Sequence, residues 1–178
     1  HVGYGQFNGE LDSNYAQNGV SLIDFNSQEQ VGVSAKFHPN GKLYYGGVAG
    51  GPNNDFLLTR LNQNGTIDNA FGNQGAMTYD FSLGGDDYMY DMDIFPDGKI
   101  LMAGMVAGNG KDQVISVINP DGTYQTAFNQ TGFLVTGGSY KDRWQTCLAE
   151  PNGKVLVAGI TSNAIQQDIT LERYNADG

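Results

Sequence analysis

Tyr88-Met89-Tyr90-Asp91-Met92-Asp93-Ile94-Phe95-Pro96-Asp97-Gly98-Lys99-Ile100-Leu101-Met102-Ala103-Gly104-Met105-Val106 joins two apolar runs through the turn Pro96-Asp97-Gly98-Lys99. Asp-Gly or Asn-Gly between apolar runs is a strong hairpin signal, because tight turns need positive φ, which Asp, Asn and Gly tolerate best. The turn recurs as Pro39-Asn40-Gly41-Lys42, 57 residues earlier (39 to 96), and as Pro151-Asn152-Gly153-Lys154, 55 residues later (96 to 151). Hairpins on a period therefore organise the chain, and an internal repeat is the first thing to resolve.

Aligned on these turns, each repeat opens with a Gly turn: Asn8-Gly9, Asn62-Gln63-Asn64-Gly65 and Asn119-Pro120-Asp121-Gly122, with a fourth at Asn175-Ala176-Asp177-Gly178. This divides the 178 residues into repeats at approximately 9–64, 65–121 and 122–177. An aromatic follows at a fixed phase, Tyr15, Phe71 or Phe128, and reads as a packing anchor. Four residues beyond it stands Gly19, Gly75 or Gly132, and then a first strand at 20–25, 76–81 or 133–136.

A second strand, at 31–37, 88–95 and 143–149, alternates in polarity as a half-buried strand does. One parity carries Phe37 and Ala35, Ile94 and Met92, Ala149 and Cys147. The third strand, at 43–49, 100–106 and 155–161, is apolar on both faces, with a small pair at its centre: Gly46-Gly47, Ala103-Gly104, Ala158-Gly159. It reads as a central strand, with small residues where a neighbouring sheet comes close. Asp55, Asp112 and Asp168 open a fourth strand, and no segment sustains a 3.6-residue apolar period.

Four sequential strands per repeat of about 56 residues give an all-β protein of three four-stranded antiparallel repeats, consecutive blades of a β-propeller. A β-solenoid-like array is the alternative, disfavoured because solenoid units run to about 20–45 residues. Three blades fall short of the usual four to eight. The chain opens on His1 rather than Met, and is expected to be a segment of a larger propeller, completed by remaining blades of a parent chain or by other copies.

Residues 62–75, beginning Asn62-Gln63-Asn64-Gly65-Thr66-Ile67-Asp68, together with Phe95-Pro96-Asp97-Gly98-Lys99-Ile100-Leu101-Met102-Ala103-Gly104 and Leu171-Glu172-Arg173-Tyr174-Asn175-Ala176-Asp177-Gly178, resemble the bacterial delta-60 repeat. The resemblance spans nearly the whole chain and is most specific in the second repeat. The first departs at Tyr15-Ala16 and the third at Gln125-Thr126. It implies propeller-like repeats in large secreted or surface proteins of Gram-negative bacteria, and no catalytic residues.

Composition limits function. With 9 basic and 19 acidic residues the net charge is −10, which opposes binding to nucleic acid or to an anionic membrane. No run approaches the ~20 apolar residues of a membrane-spanning helix. Cys147 is the one cysteine, so no intramolecular disulfide forms. It falls in a core slot with no histidine for a base, since His1 is terminal and His38 lies in a turn.

Asp86, Asp87, Asp91 and Asp93 form the densest acidic cluster and a candidate for calcium, as are the recurring Asp55, Asp112 and Asp168. Without an Asp-x-Asp-x-Asp-Gly loop, solvated charge is the expected role, and no cofactor is expected. Asp55, Asp112 and Asp168 are expected to accept turn amides. Tyr140, Arg143 and Trp144 beside a loop are the candidates for stacking on a sugar ring, with packing the plainer role. Asn64-Gly65-Thr66 and Asn129-Gln130-Thr131 fit the glycosylation acceptor pattern, which is short and frequent by chance.

The turns that repeat closely share one rim of the meander. The loops at 26–30, 82–87 and 137–142, and at 50–54, 107–111 and 162–167, vary and share the other, so recognition is expected there. The functional expectation is a non-catalytic extracellular or cell-surface scaffold that binds protein or glycan. The alternatives are a propeller-type glycosidase or lyase working through paired carboxylates, and a structural repeat of a filament or secreted cargo protein.

Overall fold

The computed structural model describes residues 9–25, 29–81, 84–107, 111–137 and 140–178. Among them run β1 (Gln30–Phe37), β2 (Leu43–Ala49), β3 (Asp55–Leu61), β4 (Ala76–Tyr79), β5 (Asp87–Ile94), β6 (Ile100–Ala107), β7 (Lys111–Ile118), β8 (Phe133–Thr136), β9 (Arg143–Ala149), β10 (Val155–Ser162) and β11 (Gln167–Tyr174), and no helix. All pairings between these strands are antiparallel. The sheets are β1-β2-β3-β4, β5-β6-β7-β8 and β9-β10-β11.

Each hairpin between the second and third strands is closed by the turn read in the sequence. Gly41, Gly98 and Gly153 all take positive φ (81°, 89° and 83°). The flanking backbone bonds repeat as His38 N–H to Lys42 O, Phe95 N–H to Lys99 O and Glu150 N–H to Lys154 O.

The sheets do not coincide with the repeats. β4 and β8 follow the Gly turns of the second and third repeats, yet pair back onto β3 and β7 of the repeat before. The expected first strand at 20–25 is a correction: these residues form only a bridge, between Gln17 and Val20, and the third sheet has three strands. A strand exists only against an edge. β3 and β7 supply one to β4 and β8, whereas no fourth strand precedes residues 20–25 among those described.

Two cores lie between the sheets. Tyr44, Phe56 and Leu58 of the first sheet meet Met89, Met92, Ile100 and Met102 of the second. Leu101, Ala103 and Ile115 on the opposite face of the second sheet meet Trp144, Cys147, Val155 and Val157 of the third. Burying a side chain of this kind contributes about 1.5–3 kcal/mol, so the seams carry most of the packing. The parity of the second strand holds where a seam exists, at Met92 and Cys147, and fails in β1, where Ala35 and Phe37 are exposed. Their face of the first sheet has no sheet against it among the described residues.

The small pairs of the third strands have two separate uses. A Cβ at Gly46 would stand 2.3 Å from the Met89 methyl of the next sheet, which is the close approach expected. Gly104 and Gly159 instead receive a carbonyl of their own sheet, with a Cβ 2.1 Å from Tyr88 O and Arg143 O. Register shifts lie beside them, between Met89 and Asp91 and between Ala158 and Gly159, so the glycines make room for bulges in the second strand.

Candidate functional site

The two rims of the stack differ. On one, the strand turns and Gly turns are stapled to their neighbours. The Tyr44 hydroxyl and Arg60 Nη1 donate to Pro120 O (2.7 and 3.0 Å), and the Tyr79 hydroxyl to Gly122 O (2.9 Å). His38 Nδ1 accepts from Asn40 N–H, which leaves Nε2 as the donor to Gly98 O at 2.8 Å. Asp68 is paired with Arg60 (2.8 Å) and Lys42 (3.0 Å). Burial opposes its charge, but hydrogen bonds from Lys42, Ala70 N–H and Arg60 outweigh it and hold the carboxyl below the usual carboxylate range.

The described parts of the variable loops meet on the other rim, Gly50 N–H donating to Glu29 O and Ser162 N–H to Asp142 Oδ1, and carboxylates gather there. Asp55, Asp80 and Asp87 bring one oxygen each within 4.8 Å of one another. Burial first, then the charges of Asp80 and Asp86, push the Asp55 carboxyl up. Asp87 is fully buried, and its Oδ2 accepts Phe81 N–H at 2.6 Å. Counted from the prolines, Asp112 and Asp142 occupy the positions of Asp55 and Asp87 at the next seam. Burial, then the charge of Asp142, pushes Asp112 up. Its Oδ1 is buried without a hydrogen-bond partner among the described residues, and a Cβ on Gly137 (φ 153°) would come within 2.6 Å of it. Among the described residues neither Asp55 nor Asp112 accepts a turn amide, while Asp168 accepts from the Gln166 side chain at 2.9 and 3.1 Å. Like charges across a seam suit an all-oxygen cation site or a shared proton.

The cluster Asp86, Asp87, Asp91 and Asp93 does not assemble as one site. Asp86 Oδ1 accepts Asn54 N–H and Nδ2 on the rim (2.9 and 3.2 Å). Asp91 and Asp93 lie down the inner strand β5 and clasp its neighbours. Asp91 accepts from the Ser34 hydroxyl of β1 (3.2 Å), and from the Thr146 hydroxyl (2.7 Å) and Cys147 N–H (3.1 Å) of β9. Asp93 accepts Ala149 N–H at 2.9 Å and pairs with Lys36 at 3.6 Å. Three sheets are thus tied near their common axis, a role that no local spacing could reveal.

Nor do Tyr140, Arg143 and Trp144 make a stacking surface. Trp144 is fully buried in the second seam and Arg143 half-buried, which leaves Tyr140 as the exposed ring. Cys147 is buried in that seam, and burial, then Asp91 and Asp93, push its thiol well up. Asn64 Oδ1 accepts Thr66 N–H, and Asn129 Nδ2 donates to Phe133 O, so both acceptor-pattern asparagines brace their turns. Of the variable loops, residues 26–28, 82–83, 108–110 and 138–139 lie outside the described residues, as does His1.

Two stretches, residues 38–71 and 150–178, match a family model described as a domain of unknown function (DUF5122) beta-propeller. The chain is similar to β-propeller repeats. Each matched stretch runs from the Pro-Asn-Gly-Lys turn through the third and fourth strands, the first on past the following Gly turn to Phe71 and the second to the Gly turn at 175–178. The match and the three antiparallel sheets together make the fold an all-β one of propeller type. No curated protein matches the chain.

Proposed function

We propose that the chain is a non-catalytic repeat scaffold of a secreted or cell-surface bacterial protein, of the delta-60 kind, which binds protein or glycan through its loop rim. The observation that carries this reading is the asymmetry of the rims. The constant rim is consumed by staples between repeats, such as Tyr44 and Arg60 on Pro120, while the variable rim holds loops and partly buried carboxylates not needed for the staples. Immobilised bacterial polysaccharides and surface proteins are the probes. Replacing residues 50–54 and 162–167 by Gly-Ser linkers of equal length is expected to abolish binding, whereas Lys42→Ser on the constant rim leaves it intact. Binding that survives both loop replacements, or none at all with the unaltered chain, sinks the proposal.

A second reading, a propeller-type glycosidase or lyase, has one observation in its favour: the convergence of Asp55, Asp80 and Asp87. Glycosidase carboxylates stand about 5–5.5 Å apart in retaining enzymes and about 6.5–9.5 Å apart in inverting ones. The three here are closer, and Asp87 is buried against the Phe81 amide. Cleavage products from a polysaccharide panel that disappear in Asp55→Asn would replace the scaffold reading.

A further inference from the structure

The molecule carries an unfilled strand edge and, at its other end, an element shaped to fill such an edge. β11 pairs with β10 on one side and with no strand on the other among the described residues. At the equivalent strands that outer place is taken, β4 standing on β3 and β8 on β7. Residues 11–25 repeat the anchor turn of the segments that lead into β4 and β8: Tyr15 N–H donates to Asp12 O as Phe71 N–H does to Asp68 O and Phe128 N–H to Gln125 O. Gly19 N–H donates to Tyr15 O as Gly75 N–H does to Phe71 O and Gly132 N–H to Phe128 O. All three glycines take positive φ, at 88°, 92° and 89°. The turn is formed, yet the residues after it pair with no strand among the described residues, and Leu22 is 83% exposed.

The sheet faces repeat the pattern. Leu58, Ile115 and Leu171 hold one position, each opposite the small residue of the third strand: Gly46, Ala103 and Ala158. Leu58 and Ile115 are fully buried by the next sheet, whereas Leu171 is 65% and its face-mate Ile169 91% exposed. The first sheet offers the complementary face: Phe37 is 72% exposed, and beside it lies an open groove of ≈ 420 Å³ lined by Leu43, Tyr45 and Leu57. Ile94, Ile100 and Met102, the counterparts of Phe37, Leu43 and Tyr45, pack in the first seam.

We propose that a second copy of this chain docks head to tail on the third sheet, its residues 20–23 adding to β11 as the fourth strand and its first sheet covering Ile169 and Leu171. The internal pairings give the register. Leu57 faces Thr78 and Val114 faces Val135, which places Thr170 opposite Leu22 of the other copy, and Leu171 opposite Ser21. Two copies carry six sheets, inside the four to eight of closed propellers, and both open edges are consumed when the ring closes.

The test uses the whole chain. Unaltered protein is expected to sediment at twice the chain mass. In an oxidised equimolar mixture of Leu22→Cys and Thr170→Cys chains, a disulfide-linked dimer is expected, since directly opposed residues on antiparallel strands stand within disulfide reach; neither variant alone is expected to link. Leu171→Asp, with its far-UV circular dichroism unchanged, is expected to weaken association about tenfold or more, equivalent to about 1.4 kcal/mol. A monomer at every concentration would overturn the proposal and leave the edge to a further repeat of a longer polypeptide. A dimer that links in one variant alone, or fails to link in the mixture, would overturn it equally.

Discussion

At Asp91 one carboxylate serves three inner strands, accepting from Ser34, Thr146 and the Cys147 amide. Asp91→Ala leaves that amide without its acceptor and is expected to cost about 1–3 kcal/mol in denaturant unfolding. Asp112 behaves oppositely. Its carboxyl is pushed up by burial and by Asp142, so between the ordinary and the raised pKa the native state holds more protons than the unfolded one. Stability then falls as pH rises through that window. Asp112→Asn is therefore expected to raise the melting temperature at neutral pH, with the gain shrinking to nothing as pH falls below the ordinary carboxylate value. For Asp68 the sign reverses: its carboxyl is held down, so its contribution is present above the ordinary value and lost as pH falls through the depressed one. Asp68→Asn is expected to lower the melting temperature at neutral pH and to matter less in acid. A thermal pH series on both variants reads the two signs side by side.

The anchor that precedes each closing strand shows how far an element depends on its surroundings. Tyr15, Phe71 and Phe128 share one sequence phase and one turn geometry. Phe71 lies under the Arg60 guanidinium, 4.7 Å from ring centre to Cζ, and edge-on to Tyr44 at 5.7 Å. Both phenylalanines are buried in seams, and Phe128→Ala is expected to cost about 3–5 kcal/mol. Tyr15 is half-buried and heads a segment with no strand to pair, so Tyr15→Ala is expected to cost much less in the isolated chain. Equal costs for the two would show that residues 11–25 are already anchored as firmly as their counterparts.

For the whole molecule, the proposed docking of a second copy on the β11 edge would make stability a matter of concentration. Anything that binds the native state alone raises its apparent stability by mass action. The melting temperature is therefore expected to climb with protein concentration in the unaltered chain and to stay flat in Leu171→Asp. Each copy carries a net charge of −10, so added salt is expected to strengthen association by screening their repulsion. Weaker association in high salt would point to a polar contact instead of the apolar seam.

Pro96-Asp97-Gly98-Lys99 and its two counterparts told from the sequence alone where chains reverse, because positive φ is a local demand met by local residues. The strands other than that at 20–25, and their central small pairs, were legible for the same reason: period and turn chemistry act over a few residues. Which sheet a strand joins was not, because pairing is decided by the edge that waits for it. Residues 76–79 and 20–23 share a phase, yet β4 finds β3 and the earlier segment finds no strand. The meeting of the carboxylates was not legible residue by residue. Asp55, Asp80 and Asp87 are up to 32 positions apart and meet only once two sheets have packed, while Asp91 and Asp93, adjacent in the pattern, were turned into clasps by the neighbours that folding brought to them.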